Sequence, residues 1–154
     1  MFSKMIPLNL PAIAIKLKEE DGKTYILDSL RKKYLLLTPE EWVRQHIIHY
    51  LIHEKKYPKG LIKLETGLYL NTLQKRADVL ISNSEGLPFM VVECKAPEIK
   101  INQKVFDQIA RYNYIYKAKY LFVTNGINHF CAEIDHLNHS FQFINEIPNY
   151  KLSQ

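Results

Sequence analysis

Two apolar segments separated by a turn-rich stretch constrain the fold of this chain more than any other feature. Residues 76–82 and 89–95 read RADVLIS and FMVVECK, and both are rich in the branched and aromatic residues that favour β-strands. Residues 83–88 between them read NSEGLP, a composition typical of turns. The sequence therefore predicts a β-hairpin at the centre of the domain.

Charged side chains interrupt this otherwise apolar hairpin, among them Asp78, Glu93 and Lys95. Lys95 follows Glu93 by two residues, so both side chains lie on one face of a strand. The midpoint between Asp78 and Glu93 falls inside the turn, so a simple hairpin sets the two carboxylates nearly opposite, about 5 Å apart. Carboxylates that close repel each other unless a cation lies between them, and their oxygens are ligands that Mg²⁺ uses. A cross-strand ion pair with Lys95 explains the same pattern without a metal, and the residues alone leave both interpretations open.

Two helices and further strands surround the predicted hairpin. Thr38 can cap a helix that begins at Pro39 and ends before Tyr57 and Pro58. A second helix is predicted over about 102–117, with an apolar stripe of Val105, Ile109, Tyr112 and Tyr116. Strands are predicted near residues 13–17, 24–27, 33–37, 61–64, 68–70, 120–124, 129–134 and 141–144. This order predicts an α/β fold with a central mixed β-sheet flanked by helices.

The composition is that of one globular domain. The chain has 154 residues, of which 47% are hydrophobic and 24% charged, and this size is sufficient for a single core. Cys94 and Cys131 form no metal-ligand pair, so we expect a reducing, cytoplasmic setting. No apolar run approaches the ~20 residues of a membrane span. We therefore expect no membrane partner and no secretory leader, and the absence of a GxxxxGK motif argues against an ATP-driven motor.

Positive charge is concentrated next to the predicted hairpin. The net charge of +5 is modest, but residues 95–119 carry six basic side chains against two acidic ones. A solvated helix face explains such a run, whereas its position beside the hairpin indicates a polyanionic partner. The candidates for contacts with DNA phosphates are Lys100, Lys104 and Arg111.

Five short motifs occur in a fixed order along the chain: TPEEWVRQ, KRADVLI, VVECKAP, FDQIARYN and LFVTNG. In this order they resemble the N-terminal nuclease domain of type I restriction enzyme R subunits, within the PD-(D/E)XK superfamily. The resemblance covers about 31–126 and implies a restriction-endonuclease-like core. It departs from the superfamily pattern at Ala77, which replaces a proline that is not a ligand. We predict a single domain over 1–154, with an arm or hairpin over 1–30, a catalytic core over 31–126 and C-terminal strands over 127–154.

The resemblance implies metal-dependent hydrolysis of DNA phosphodiester bonds. Asp78 and Glu93, with the backbone carbonyl of Cys94, would bind Mg²⁺ or Mn²⁺. Lys95 would assist the attacking water or steady charge on the phosphate in the transition state. A further acid, Glu65, can be a site residue or a surface residue, and the sequence does not separate these.

The resemblance also implies site residues on both helices. Gln108 and Tyr112 match a QxxxY motif of related nucleases and, four residues apart, share one helical face. One acid of the first helix is expected in the site. Glu40 is preferred because it shares the spacing of the apolar residues that should look toward the sheet, and Glu41 stays the alternative.

Three histidines lie on the first predicted helix at positions that a zinc ion could use. His46, His49 and His53 are spaced i, i+3, i+7. Because no fourth ligand is evident, we expect a solvated histidine face instead.

Two classes of function fit these residues. The first is a metal-dependent nuclease. The second is a non-catalytic module that binds DNA or a partner protein, for instance a motor or specificity subunit supplied in trans. The presence of Asp78, Glu93 and Lys95 together favours the enzyme. Homodimer formation, target sequence, endonuclease or exonuclease action, and DNA or RNA preference stay open.

Overall fold

The computed structural model describes residues 5–70 and 73–151, and only the backbone of 65–70 and 73–77. The N-terminal elements are β1 (Leu17–Glu20), β2 (Lys23–Asp28), β3 (Lys33–Leu36) and α1 (Pro39–His53). They are followed by β4 (Ile62–Leu70), β5 (Leu73–Ser82), β6 (Pro88–Cys94) and α2 (Gln103–Asn113). The chain continues with β7 (Tyr120–Thr124), β8 (His129–Asp135) and β9 (Ser140–Ile144). None of the helices in this described part has the length and apolarity of a membrane span.

The larger of the two sheets carries the predicted hairpin at its centre. Its six strands follow the order β4-β5-β6-β7-β8-β9. Neighbouring strands are antiparallel except β6 and β7, which run parallel and are therefore joined by a crossover that contains α2. The prediction of an α/β fold with a central mixed sheet is confirmed. The predicted boundary between residues 126 and 127 falls in the turn between β7 and β8, and both C-terminal strands continue the same sheet.

Helix α1 begins where the sequence predicts. Thr38 is its N-cap, and the Thr38 hydroxyl accepts a hydrogen bond of 3.0 Å from the Glu41 amide. Beyond the helix, the Tyr57 hydroxyl donates to the Pro148 carbonyl at 2.6 Å and ties the C-terminal region to this end of α1. The helix packs on one face of the larger sheet, in a core that includes Val43, Ile47, Leu51, Val79 and Val92.

Helix α2 covers the opposite face of the same sheet. Its N-cap is Asn102, whose side chain accepts from the Val105 amide at 2.9 Å. The core on this face includes Leu80, Val91, Phe106, Ile109 and Leu121. The predicted apolar stripe is partly wrong, because Tyr112 is 48% exposed while Ala110 and Asn113 are buried. The helix is rotated by about one residue from the prediction, since Phe106 rather than Val105 faces the sheet.

The small sheet, in the order β1-β2-β3, lies against the other side of α1. Ile26 of β2 is 1% exposed, and the Ser29 hydroxyl lies 3.4 Å from His49 Nε2. The predicted strand at 13–17 is wrong, because β1 begins only at Leu17. Asp21 and Gly22 form a turn in the left-handed region, with φ of 54° and 75°. This turn places Glu20 opposite Lys23 and so determines the register in which β1 pairs with β2. The two strands predicted near 61–64 and 68–70 are one continuous strand, β4.

The segment 6–10, here called the N-terminal arm, is bound across the core. The Asn9 amide donates to the Gly126 carbonyl at 2.8 Å, and the Trp42 indole donates to the Ile6 carbonyl at 3.1 Å. Gly126 has φ of 85°, and a Cβ there would lie 2.7 Å from Leu8 Cδ2. Glycine is therefore required at this turn both for its conformation and for the close approach of the arm.

Candidate functional site

The acids of the predicted hairpin meet where the described pairing of β5 with β6 ends. The last described pair is Val79 with Val92, and the next residues along each strand are Asp78 and Glu93. The Cys94 amide donates a hydrogen bond of 2.8 Å to Asp78 Oδ2. The side chain of Glu93 is in hydrogen-bonding contact with that of Asp78. The structure therefore brings the two carboxyl groups together, as the hairpin symmetry predicts.

The two acids lie at the end of the hairpin, next to α1. The core under α1 includes Val79 and Val92, the last described pair, and Asp78 borders a cavity together with Glu41 and Arg44 of that helix. Glu93 is 5% exposed. Asp78 is partly buried, so Glu93 is the more shielded of the two from bulk water.

Burial makes the charged form of these acids costly. It raises the pKa of the Asp78 carboxyl above its ordinary value. The Cys94 amide, the positive charges of Arg44 and Lys95, and the contact with Glu93 act in the opposite direction but more weakly. Two neighbouring carboxylates in such a place need a cation to stay ionised together.

Lys95 is held beside the acids by the neighbouring strand β7. Its amide donates to the Thr124 carbonyl at 2.8 Å, one residue past the end of β6. The side chain is partly buried, and its charge acts on Asp78. Cys94 between the two charged residues is 3% exposed, and burial raises the pKa of its thiol, so it is not a nucleophile here.

Helix α1 adds a buried polar cluster at the same end of the hairpin. Glu41, Arg44 and Gln45 are 6%, 8% and 2% exposed. Arg44 Nε donates to Glu41 Oε2 at 3.1 Å, Arg44 Nη2 donates to Glu41 Oε1, and Gln45 Nε2 donates to Glu41 Oε2 at 2.9 Å. A cavity of about 340 Å³ lies here, and its lining includes Leu35, Leu36, Thr38, Glu40, Glu41, Arg44, Asp78 and Cys94.

The expected orientation of the two helix acids is reversed. Glu40 is exposed at the rim of the cavity, whereas Glu41 is buried in it. Glu40 shares the spacing of the apolar residues of α1, but the inner face of the first turns of the helix is polar, with Glu41, Arg44 and Gln45 buried there. Which acid takes part in chemistry stays a prediction, and both border the cavity.

The polar pair Arg44 and Gln45 was not among the residues that the sequence singled out. A signal was present, because both residues interrupt an apolar helix and lie three and four residues after Glu41. Buried charged residues of this kind are rarely tolerated without a partner. An Arg-Gln step on the buried side of a helix therefore indicates a buried carboxylate nearby.

The other predicted site residues lie on the exposed surface of α2 and of the segment before it. Gln108 and Tyr112 are exposed and are outside the cavity that Asp78 borders. Lys100, Lys104 and Arg111 are exposed as well. The side chain of Glu65 lies outside the described residues. The structure thus brings Asp78, Glu93, Cys94 and Lys95 together near α1, whereas the α2 residues do not line the cavity that Asp78 borders.

The donor set suits a hard cation that keeps much of its own water. Asp78, Glu93 and the Cys94 carbonyl would supply oxygen ligands only. Among the described residues, His, Cys, Asp and Glu side chains do not gather in groups of three that could hold a metal. Mg²⁺ is usually held by one or two carboxylates with waters and phosphate oxygens, so two carboxylates fit it.

The histidines of α1 are not a solvated face. His46 is 7% exposed, and its Nδ1 lies 2.8 Å from the Trp42 carbonyl oxygen. His49 contacts Ser29, whereas His53 is exposed. The prediction of solvated histidines is therefore wrong for His46, because the small sheet and the N-terminal arm cover more of α1 than a one-sided helix would have covered.

Comparison with known proteins places this arrangement in a family. Residues 39–148, from α1 to beyond β9, match the family described as type I restriction enzyme R protein N terminus. A solved fragment assigned to an HsdR subunit of a type I restriction enzyme from Vibrio vulnificus YJ016 has a similar fold, with a TM-score of 0.52 and 23% sequence identity. The similarity covers 73% of this chain and 24% of that one, so this chain spans about a quarter of the length of the fragment. No curated protein gave a significant match.

Proposed function

Because the chain belongs to the type I restriction enzyme R protein N-terminus family, we propose that it is a metal-dependent deoxyribonuclease domain of the PD-(D/E)XK kind. The observation that carries this proposal is the contact between Asp78 and Glu93 at the end of the hairpin, with Lys95 beside them. Two acids in contact, one buried and one partly buried, can both be ionised at low cost only when a cation lies between them. A role in chemistry accounts for their presence.

The proposed metal ligands are Asp78, Glu93 and the Cys94 carbonyl. The ion would be Mg²⁺ or Mn²⁺ and would supply electrophilic activation of the scissile phosphate. Asp78 is fixed for this role by the Cys94 amide, so its second oxygen can point away from the strand. Glu93 is fixed by the surrounding core, since it is 5% exposed.

Lys95 would act on the reacting phosphate. Its backbone is anchored to Thr124 of β7, which leaves the long side chain to position the ammonium group. An ammonium near the acids can orient the attacking water and offset the negative charge that grows on the phosphate oxygens. Lys95 would therefore contribute to the rate more than to metal binding.

The exposed surface of α2 would hold the DNA backbone. Lys104, Gln108 and Arg111 are spaced by four and three residues, so they form one stripe along the helix. Lys100 lies just before the helix. Basic side chains on one surface bind phosphates without reading sequence, and Tyr112 on the same surface can reach a phosphate oxygen with its hydroxyl.

A cleavage assay tests the proposed activity. Supercoiled and linear DNA are incubated with the protein and Mg²⁺, Mn²⁺ or a chelator, in parallel with the Asp78→Asn and Glu93→Gln variants. Cleavage that needs the divalent ion and both acids supports the proposal, and the two DNA forms separate endonuclease from exonuclease action. If the wild type binds DNA but does not cleave it, the nuclease proposal is contradicted and the chain is interpreted as a non-catalytic binding module. In that case the cleavage assay is repeated with the motor and specificity subunits of a type I complex added.

A further inference from the structure

The outer face of the small sheet carries two tyrosines that the proposed chemistry does not use. Tyr25 lies on β2, and Tyr34 of β3 pairs with Leu27, two residues after Tyr25. Because side chains alternate between the two faces of a strand, Tyr25 and Tyr34 share one face, opposite to that of the buried Ile26. Tyr34 is 37% exposed, and Tyr25 is partly exposed. This face therefore presents aromatic rings to solvent.

A lysine accompanies the two rings. The Lys18 ammonium nitrogen lies 4.6 Å from the centroid of the Tyr34 ring and 5.8 Å from that of the Tyr25 ring. Lys18 also pairs with Glu20 at 3.2 Å, but both side chains are exposed, and such ion pairs and cation–π contacts are weak in water. Stacking of a nucleobase on an aromatic ring is stronger than either contact, so a base can displace the lysine from a ring. The ammonium group then stays beside the phosphate of that nucleotide.

The same face adjoins the candidate site. Leu36 pairs with Tyr25 across β2 and β3, and it lines the cavity that Asp78 borders. Cross-strand partners lie about 5 Å apart, so the tyrosine is one side chain away from the cavity lining. Over residues 16–36, five exposed lysines stand against three exposed acids, and this balance favours a polyanion on this side of the domain. A nucleic-acid strand on the two tyrosines can thus continue past Leu36 into the cavity.

We propose that the outer face of the small sheet is a stacking platform for single-stranded nucleic acid, with bases on Tyr25 and Tyr34 and with Lys18 beside the phosphates. The choice of nucleic acid as the occupant rests on the proposed function, because the platform adjoins the cavity of the proposed nuclease site. The platform is separate from the basic stripe on α2, which suits the backbone of a duplex. Every base has a face that can stack, so the platform would bind strands of any sequence.

Binding of labelled single-stranded oligo(dT), measured by fluorescence anisotropy in the presence of a chelator, tests this role without any cleavage. Tyr34→Leu keeps an apolar side chain but removes the ring, so it should bind oligo(dT) at least ~5-fold more weakly than the wild type. Tyr34→Phe keeps the ring and should bind like the wild type. Phe143→Leu changes an aromatic side chain of similar exposure on β9 and is the control. The circular dichroism spectrum and melting temperature of each variant establish that it is folded.

The salt dependence of binding gives a second measurement. Lys18→Met should lower the slope of log K against log salt for oligo(dT) by about 0.7, the value for one phosphate contact on a single strand. Lys119→Met, which removes an exposed lysine before β7, is the control for the loss of one charge. Tyr34→Leu should weaken binding of a duplex of the same length less than binding of oligo(dT), because the bases of a duplex are already stacked on one another.

The outcomes separate this inference from the proposed function. A folded Tyr34→Leu that binds oligo(dT) like the wild type overturns the platform, and so does a Tyr34→Phe that binds as weakly as Tyr34→Leu. If Tyr34→Leu does not fold, Lys18→Met decides, since a slope that falls no more than in Lys119→Met overturns the platform as well.

The wild type alone distinguishes two further cases. A wild type that cleaves duplex DNA but does not bind oligo(dT) overturns the platform, favours a protein partner for this face and leaves the proposed function intact. Binding of oligo(dT) that depends on the Tyr34 ring, in a wild type that cleaves no DNA, supports the platform and contradicts the proposed function.

Discussion

The Cys94 amide donates a hydrogen bond of 2.8 Å to Asp78 Oδ2, so one strand of the central hairpin fixes the acid of the other. The bond lies just beyond the last described backbone pair of the two strands, Val79 with Val92. The side chain of Asp78 thus takes part in the pairing of the strands and in the candidate site at once. Changes at Asp78 must therefore keep an acceptor for this amide if they are to report on chemistry alone.

Replacing Asp78 with asparagine should remove most of the metal affinity. The amide oxygen can still accept from Cys94, but the negative charge that attracts the ion is gone. We expect Mn²⁺ binding, measured by calorimetry, to weaken at least ~10-fold and cleavage to fall with it. Asp107→Asn on α2 is the matched control and should bind Mn²⁺ like the wild type. Unchanged affinity in Asp78→Asn would show that the ion binds elsewhere.

Replacing Lys95 with methionine should slow cleavage without weakening metal binding. The loss of an ammonium that acts mainly on the transition state is expected to cost about 10²-fold in rate. The measurement is single-turnover cleavage of plasmid DNA, with Mn²⁺ affinity determined on the same preparation. Lys119→Met removes an exposed lysine before β7 and serves as the control. Equal rates in Lys95→Met and wild type would exclude a catalytic role for this lysine.

The α2 surface should account for part of the salt dependence of DNA binding. Each phosphate that a basic side chain no longer neutralises lowers the slope of log K against log salt by about 0.9 on duplex DNA, so Lys104→Ala with Arg111→Ala should lower it by about two. The measurement is a titration of labelled DNA at several salt concentrations. The control pair is Lys59→Ala with Lys119→Ala, two exposed lysines at the opposite end of the strands from Glu93.

An unchanged slope in the α2 pair would place the DNA path on another surface. It would also remove the reason for assigning Gln108 and Tyr112 to DNA contacts, because they share that helix face. Equal reductions in both pairs would indicate a general effect of net charge.

A methyl group at Gly126 should destabilise the domain by displacing the N-terminal arm. Its φ is 85°, and a Cβ would lie 2.7 Å from Leu8 Cδ2 and 3.2 Å from Val43 Cγ2. We expect Gly126→Ala to reduce the free energy of unfolding by about 1–3 kcal/mol, as measured by urea denaturation.

Two other glycines separate the causes of this destabilisation. Gly22 has φ of 75° but open space around its Cβ position, so Gly22→Ala reports the backbone cost alone. Gly60 also has open space and no left-handed φ, so Gly60→Ala should be nearly neutral. If Gly126→Ala costs no more than Gly22→Ala, the contact with the arm contributes nothing to stability.

The buried His46 should make the domain less stable in mild acid. Burial lowers its pKa below the ordinary 6.5, while the hydrogen bond with the Trp42 carbonyl opposes the shift. The folded chain therefore binds the proton less readily than the unfolded chain. The contribution of neutral His46 to the free energy of unfolding is fully present above pH 6.5 and is lost as the pH falls below that value. His46→Gln should reduce the fall in unfolding free energy between about pH 7 and pH 5.

The control for this titration is His139→Asn, which changes an exposed histidine in the turn between β8 and β9. A pH slope that is the same in His46→Gln and wild type would assign the effect to other groups. His49 is one of them, because burial lowers its pKa as well.

The hairpin and the N-cap of α1 could be predicted from sequence because local chemistry decides them. Thr38 before Pro39 determines the start of α1, and the turn 83–88 determines how the two central strands pair. That pairing then brings Asp78 and Glu93 together, so the acid pair of the candidate site followed from the turn alone.

The contribution of α1 to the site could not be predicted in this way. Periodicity counts apolar residues, but the first turns of α1 are buried against a polar cavity, so the buried residues there are Glu41, Arg44 and Gln45. The arm is a second case, since the bond from Asn9 to Gly126 joins residues far apart in the chain. Contacts between residues that are distant in the chain become visible only in the folded structure, and they decide which face of α1 is buried.

The parallel pairing of β6 with β7, here called the seam, has a consequence for the order of events in folding. On either side of it the strands form two antiparallel meanders, β4-β5-β6 and β7-β8-β9, whose contacts are local in the chain. Local contacts form early, whereas the seam must wait for the crossover through α2. Asp78 and Glu93 both belong to the first meander, but the amide of Lys95 is anchored to Thr124 across the seam. During refolding the two acids can therefore meet before the lysine is in place, and the rate of closing the seam determines when the site becomes complete.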